Sequence, residues 1–137
     1  MPAAAVREQL ARVVDSPGFV SSARLSRFLT HVVNRTIEGD LDSLKEFSIA
    51  MEVFDRSSDY DPNIDAIVRV EARRLRAKLK EYYESEPGKN DPVLIALRPG
   101  SYVPIFIIAA STYLAAWVVL QLLVPKLEPA QLEDVVT

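Results

Sequence analysis

A mainly α fold, closed by a β-hairpin and followed by one further apolar helix, is what this 137-residue chain predicts. Three observations lead there. Apolar residues recur at helical spacing in several stretches between Ala3 and Tyr83. Two short strand-like runs, Val93–Leu97 and Tyr102–Ile105, meet across Arg98-Pro99-Gly100-Ser101. Ser101–Pro125 then runs without a single charged side chain.

Ala3–Val14 is expected as the first helix, with Val6, Leu10, Val13 and Val14 on one side. Asp15-Ser16-Pro17-Gly18 ends it, because proline cannot continue the hydrogen-bond ladder and glycine frees the turn. Ser21 or Ser22 offers the N-cap of a second helix reaching about Glu38. Its Leu25, Phe28, Leu29, Val32, Val33 and Ile37 form a broad core-facing stripe, and Gly39-Asp40 stops it. His31 lies one position before that stripe and reads as a partly exposed structural histidine, with no neighbour that marks a pH sensor. Ser43-Leu44-Lys45-Glu46 matches the capping box, in which hydroxyl and carboxylate satisfy each other's free helix-end amides. A short third helix follows to about Val53 or Phe54, with Leu44, Phe47, Met51 and Phe54 as its apolar side. Asp55–Asn63 is a polar linker, and Pro62 keeps Asp61 out of helical geometry. The acids between Glu46 and Asp61 have no calcium-loop order and are expected in solvent.

The longest helix is expected over Ala66–Tyr83, capped by Asn63 or Asp65. Val68, Ala72, Leu75 and Leu79 form one apolar stripe along it. Arg69, Arg73, Arg76 and Lys80 repeat the same spacing one residue later, so they line up about 100° round the axis. One buried face and one basic flank are what a major-groove reader needs. A solvated helix with ordinary charge pairs is the alternative, since Glu71, Glu81 and Glu84 are interspersed. The helix should end near Ser85, ahead of Pro87-Gly88. In the turn after the first strand, Pro99 and Gly100 occupy the positions a type II turn favours for them. Pro104 confines the second strand to an edge or a strand end. Three helices, a long basic helix and a hairpin make the layout of a winged helix-turn-helix.

Composition narrows the function. The chain has no cysteine, so disulfides and thiolate chemistry are excluded. One histidine leaves most catalytic and metal constellations without their usual parts. No paired catalytic groups, phosphate loop or metal-ligand spacing occur, so an enzyme, a cofactor and a small-molecule substrate are not expected. The net charge is −3, and the first hundred residues hold one more acid than base, so DNA binding requires a local patch. Met1–Val14 carries Arg7, Glu8 and Arg12, which rules out an apolar signal region there and places this part in the cytoplasm.

Arg74-Leu75-Arg76-Ala77-Lys78-Leu79, followed by a strand and Arg98-Pro99-Gly100-Ser101-Tyr102, resembles the R-L-R-x-K-L … G-x-G-Y pattern of OmpR/PhoB-type winged-helix domains. More widely, Pro17–Phe106 is similar to N-terminal modules of bacterial membrane proteins that precede adenylate-cyclase-type or tetratricopeptide-repeat regions. The stretches that carry this are LKEFSIAMEVF, DPNIDAIVRVEARRLRAKLKEYY and RPGSYVPIF. The resemblance implies a recognition helix in the first segment and a wing in the second. Gly100 would make the wing turn and Tyr102 would pack under the hairpin, while Ser101 stands where the pattern has its second glycine. No receiver, cyclase or repeat region accompanies the module, so the chain reads as the input end of a larger architecture, either a natural short form or a truncated product.

Ile107–Val124 is an uncharged run that reaches about 27 Å as a helix, just under a hydrocarbon core of about 30 Å. Ile105 and Phe106 would close the gap. The division expected is therefore a winged domain over 1–104, a transmembrane helix over 105–124 and a polar tail over 125–137. The segment is also similar to the single span of the same membrane-protein group. An apolar helix packed on the domain, or paired in a homodimer, is the alternative. Arg98 and Lys89 on one side against Lys126 on the other orient the domain to the cytoplasmic face of the inner membrane.

A membrane-tethered regulator of CadC/ToxR-like layout is the leading expectation. Arg69, Arg73 and Arg76 would meet base edges or phosphates of double-stranded DNA, Lys80 phosphates, and Arg98 the minor-groove backbone. The rival is a protein-interaction or signalling-input module that does not touch DNA, which overall acidity and the missing periplasmic sensor favour.

Overall fold

Residues 2–108 are described by a computed structural model, and periodicity explains most of their helices. α1 (Ala3–Val14) and α3 (Ala23–Glu38) have the expected bounds. Val6, Leu10 and Val13 of the first, and Leu25, Phe28, Leu29, Val32 and Val33 of the second, are buried against each other. Between them the predicted break is itself one helical turn, α2 (Pro17–Val20). Proline is tolerated at the first helical position because its missing N–H would have no partner there. The Ser16 carbonyl accepts from Phe19 and Val20 at 3.0 and 2.9 Å, and Phe19 enters the core. Gly39 ends α3 in the left-handed region, φ 76°, with its N–H and that of Asp40 returned to Thr36 and Arg35.

The capping box is not formed. The Ser43 hydroxyl and N–H both donate to the Asp40 carboxylate, at 2.6 and 3.3 Å, inside a 3₁₀ turn, Asp42–Leu44. α4 (Glu46–Glu52) therefore starts after Lys45 with no side-chain cap. Its apolar side also differs from the one expected. Ile49 and Ala50 are buried, while Phe47 is 44% and Met51 37% exposed. Leu44 and Phe54 are buried from the turns that flank the helix, so they do not mark its inward face. Phe54 meets Phe28 edge-on at 5.2 Å.

α5 (Ile67–Glu84) buries Val68, Ala72, Leu75 and Leu79 as expected, and Tyr82 with them. The N-cap position is held by Ala66, without a side-chain cap, and not by Asn63 or Asp65; Asp65 lies one residue earlier, its Oδ1 accepting from the Ile67 N–H at 3.1 Å. Pro87-Gly88, read as a breaker, lies in a short helix, α6 (Glu86–Lys89). Gly88 is packed so closely on Tyr82 that a Cβ would stand 2.3 Å from the Tyr82 carbonyl oxygen.

The hairpin pairs β1 (Val93–Leu97) with β2 (Pro104–Ile108), from Leu97↔Pro104 to Val93↔Ile108. Val93, Ile95 and Leu97 face the core. The Tyr83 hydroxyl occupies the outer edge of β1, accepting from Ile95 N–H at 2.9 Å and donating to Val93 C=O at 3.2 Å. The backbone groups of residues 93, 95 and 97 hence point away from β2, and Pro104 sits opposite Leu97 where no ladder bond is lost.

This pairing corrects the expected transmembrane helix over 105–124. Ile105–Ile108 are strand, held by Ala96 to Val93, and cannot open a helix. No helix among the described residues is long and apolar enough to cross a membrane, which overturns the single-pass inner-membrane placement derived from that helix. The remainder of the expected span, 109–124, and the tail 125–137 lie outside the described residues.

A buried polar knot joins α1, the end of α5 and β1. Gln9, without solvent exposure, donates to Asp91 at 2.7 Å and to the Tyr83 hydroxyl at 3.3 Å. Its Oε1 accepts from Arg12 at 3.0 Å, and the Tyr82 hydroxyl donates to Asp91. Burial, and then the Asp91 carboxylate, push the Tyr82 hydroxyl well above its ordinary 10.0. A raised folded value means that stability is fully present below the unfolded tyrosine value and lost as pH rises past it. Denaturant midpoints should therefore hold to about pH 10 and fall above it, with a shallower fall in Tyr82→Phe. Identical alkaline slopes in the two proteins would refute the role given to Tyr82.

Candidate nucleic-acid interface

α5 presents two basic rows, one on each side of its exposed surface. The first is the row the spacing predicts, and its members have different partners. Arg69 donates to the Pro62 carbonyl, and its Nε stands 3.5 Å from Glu46 Oε1. Arg73 is exposed and has no ion pair or hydrogen bond among the described residues. Arg76 donates to the Arg98 carbonyl at 3.4 Å, tying the helix to the hairpin turn. Lys80 is exposed beside Glu84 at 3.9 Å. Arg69, Arg73 and Arg76 share a cleft of about 380 Å³ with Glu46, Gly100 and Tyr102. Lys80 lies beyond it, and the Arg98 side chain is exposed at the hairpin turn.

Glu46 organises this cleft from below. Its Oε1 is buried without a hydrogen-bond partner, facing Arg69. Tyr102 is half-buried against the core edge, and burial first, then the Glu46 charge, raise its hydroxyl.

The second row escaped the sequence reading. Arg74 and Lys78 line the opposite side of α5, with Arg24 of α3 beside them around a depression of about 580 Å³. Glu71 lies at its base with a side chain only 3% exposed, 3.0 Å from Arg74 and 3.8 Å from Arg24. Glu71 is thus no solvated partner in an ordinary surface pair. Its position three residues after Val68 and four before Leu75 already placed it beside the buried stripe. Arg74 and Lys78 show the i, i+4 spacing too, but nothing local points to Arg24, which arrives on another helix.

The turn itself is as expected. Gly100 has φ 77°, and Ser101 N–H donates to Arg98 C=O at 3.2 Å. Pro99 precedes it, and the Ser101 hydroxyl accepts from Val103 N–H at 3.2 Å.

No protein-family model, no curated protein and no solved structure matches the chain.

A Cβ at Gly100 would meet nothing within 4 Å, so the cost of a side chain there is conformational alone. Gly100→Val should lower stability by about 1 kcal/mol or more and Gly100→Asn by clearly less. Thermal melts compare the two, and equal losses would contradict the left-handed requirement.

Proposed function

We propose that this domain is a winged-helix module that binds double-stranded DNA, with α5 in the major groove and the Arg98–Ser101 turn as the wing. The OmpR/PhoB-like residues of α5 and the hairpin support the reading. The observation that carries it is the arrangement of cations on both sides of one exposed helix. Phosphates line both walls of a major groove about 12 Å wide, and two basic rows on one helix suit both walls at once. Arg73 is the cation best placed to act, since it is exposed and unpaired among the described residues. Arg69 is already paired with Glu46, and Arg76 also holds the hairpin. Local charge does this work, in a chain whose net charge is −3.

A second reading, a protein-interaction or signalling-input module, is favoured by exposed apolar residues near the start of α5. Ile64 is 86% exposed, and Phe47 of α4 is also open. The two readings differ in their response to salt. Electrophoretic shifts of the full chain on random duplex, across a salt series, should show a log–log slope of about −0.9 per phosphate contact. Arg73→Ala should reduce that slope by about 0.9 if Arg73 meets one phosphate, and leave the melting temperature unchanged. Absence of any shift at low salt would eliminate the DNA reading and leave the protein-interaction module.

A further inference from the structure

We infer that the outermost ridge of α5 reads thymine methyl groups through Val70 and Ala77, an inference that rests on the duplex-binding proposal. At about 100° per residue, Val70 and Ala77 lie within about 10° of the point opposite the buried stripe, with Arg73 and Arg74 each about 50° to either side. Val70 is 40% exposed and Ala77 is exposed as well. The helix thus carries a narrow apolar ridge between two arginines, on an otherwise strongly charged surface.

An isolated surface valine needs no explanation. Two apolar residues two turns apart, both aimed straight outward and bracketed by guanidinium groups, make a repeated arrangement. In the major groove the thymine methyl is the apolar feature among donors and acceptors, and guanine O6 and N7 accept a bidentate arginine. Val70 and Ala77 are separated by about 10.5 Å along the axis, close to three base-pair steps of about 3.4 Å. Glu81 and Glu84 share the outward side in the C-terminal half of α5, where they repel phosphate. The deepest part of the helix is therefore the stretch before these acids, Val70 to Ala77. The ligand is a duplex with thymines about three steps apart.

The test uses the full chain and a duplex selected by it from a random pool. Replacing each thymine of that duplex with deoxyuridine removes only the methyl group. Affinity should fall about fourfold for each methyl contacted. Val70→Ser, at an exposed position, should abolish the response at one thymine and keep the salt slope, and Ala77→Ser should do so at the other. Circular dichroism confirms that both variants are folded. Tight binding indifferent to deoxyuridine would overturn this inference while leaving duplex binding in place. A methyl response that survives in both variants would overturn it equally. Failure to select or shift any duplex would remove the duplex-binding proposal and this inference with it.

Discussion

Two tyrosine hydroxyls anchor the end of α5 to the hairpin and the residues leading into it, and the orientation of the basic helix depends on that anchor. Tyr82 donates to Asp91, and Tyr83 bridges Ile95 N–H and Val93 C=O at the outer edge of β1. A helix turns about 100° per residue, so holding Tyr82 and Tyr83 sets the direction of every arginine before them. Gly88 completes the anchor. Only a residue without a side chain lets α6 lie directly on the Tyr82 ring and carbonyl, which brings the chain back into β1.

The two basic rows are organised by acids lying beneath them. Glu46 faces Arg69 on the hairpin side, and Glu71 faces Arg74 and Arg24 on the other. Neither arrangement is a strong source of stability, because the guanidinium groups remain largely in water. Their effect is positional. They hold long, flexible side chains near two sides of one helix, reducing the freedom that would be lost on meeting a ligand. A nearly neutral domain can in this way present a concentrated local field.

On the side of α3 facing α4, charge closes loose ends. Arg27 donates to the last carbonyl of α4, Glu52, at 2.8 Å and pairs with Asp55, which has φ 55°. The Asp55 carboxyl is held below its ordinary value by that hydrogen bond and charge. His31, with a side chain 12% exposed, has Nε2 3.1 Å from the Ser43 carbonyl and Nδ1 3.7 Å from Glu52. The histidine is partly exposed, as its place beside the stripe implied. These contacts tune the ends of α4, whereas Ile49, Ala50, Val53 and Phe54 supply the apolar area that seats it.

By itself the sequence determined whatever is decided within about one helical turn. The bounds of α1 and α3, the stripe of α5, the Gly39 stop and the Pro99-Gly100 turn all follow from spacing and backbone chemistry among near neighbours. The tertiary structure alone decided contacts between residues far apart in the chain. Gln9 reads as polar surface until Asp91, 82 residues away, and Tyr83 supply its partners. Ser43 has the spacing of a cap, but Asp40 competes for its hydroxyl and N–H. Arg24 joins the candidate interface because α3 packs on α5. Ile105–Ile108 satisfy an apolar helix and a strand equally well by composition, and the choice falls to β1, whose paired backbone holds them extended. A local rule assigns each residue a preference; which buried polar group is satisfied, and which apolar run is paired, depends on the partner that folding brings to it.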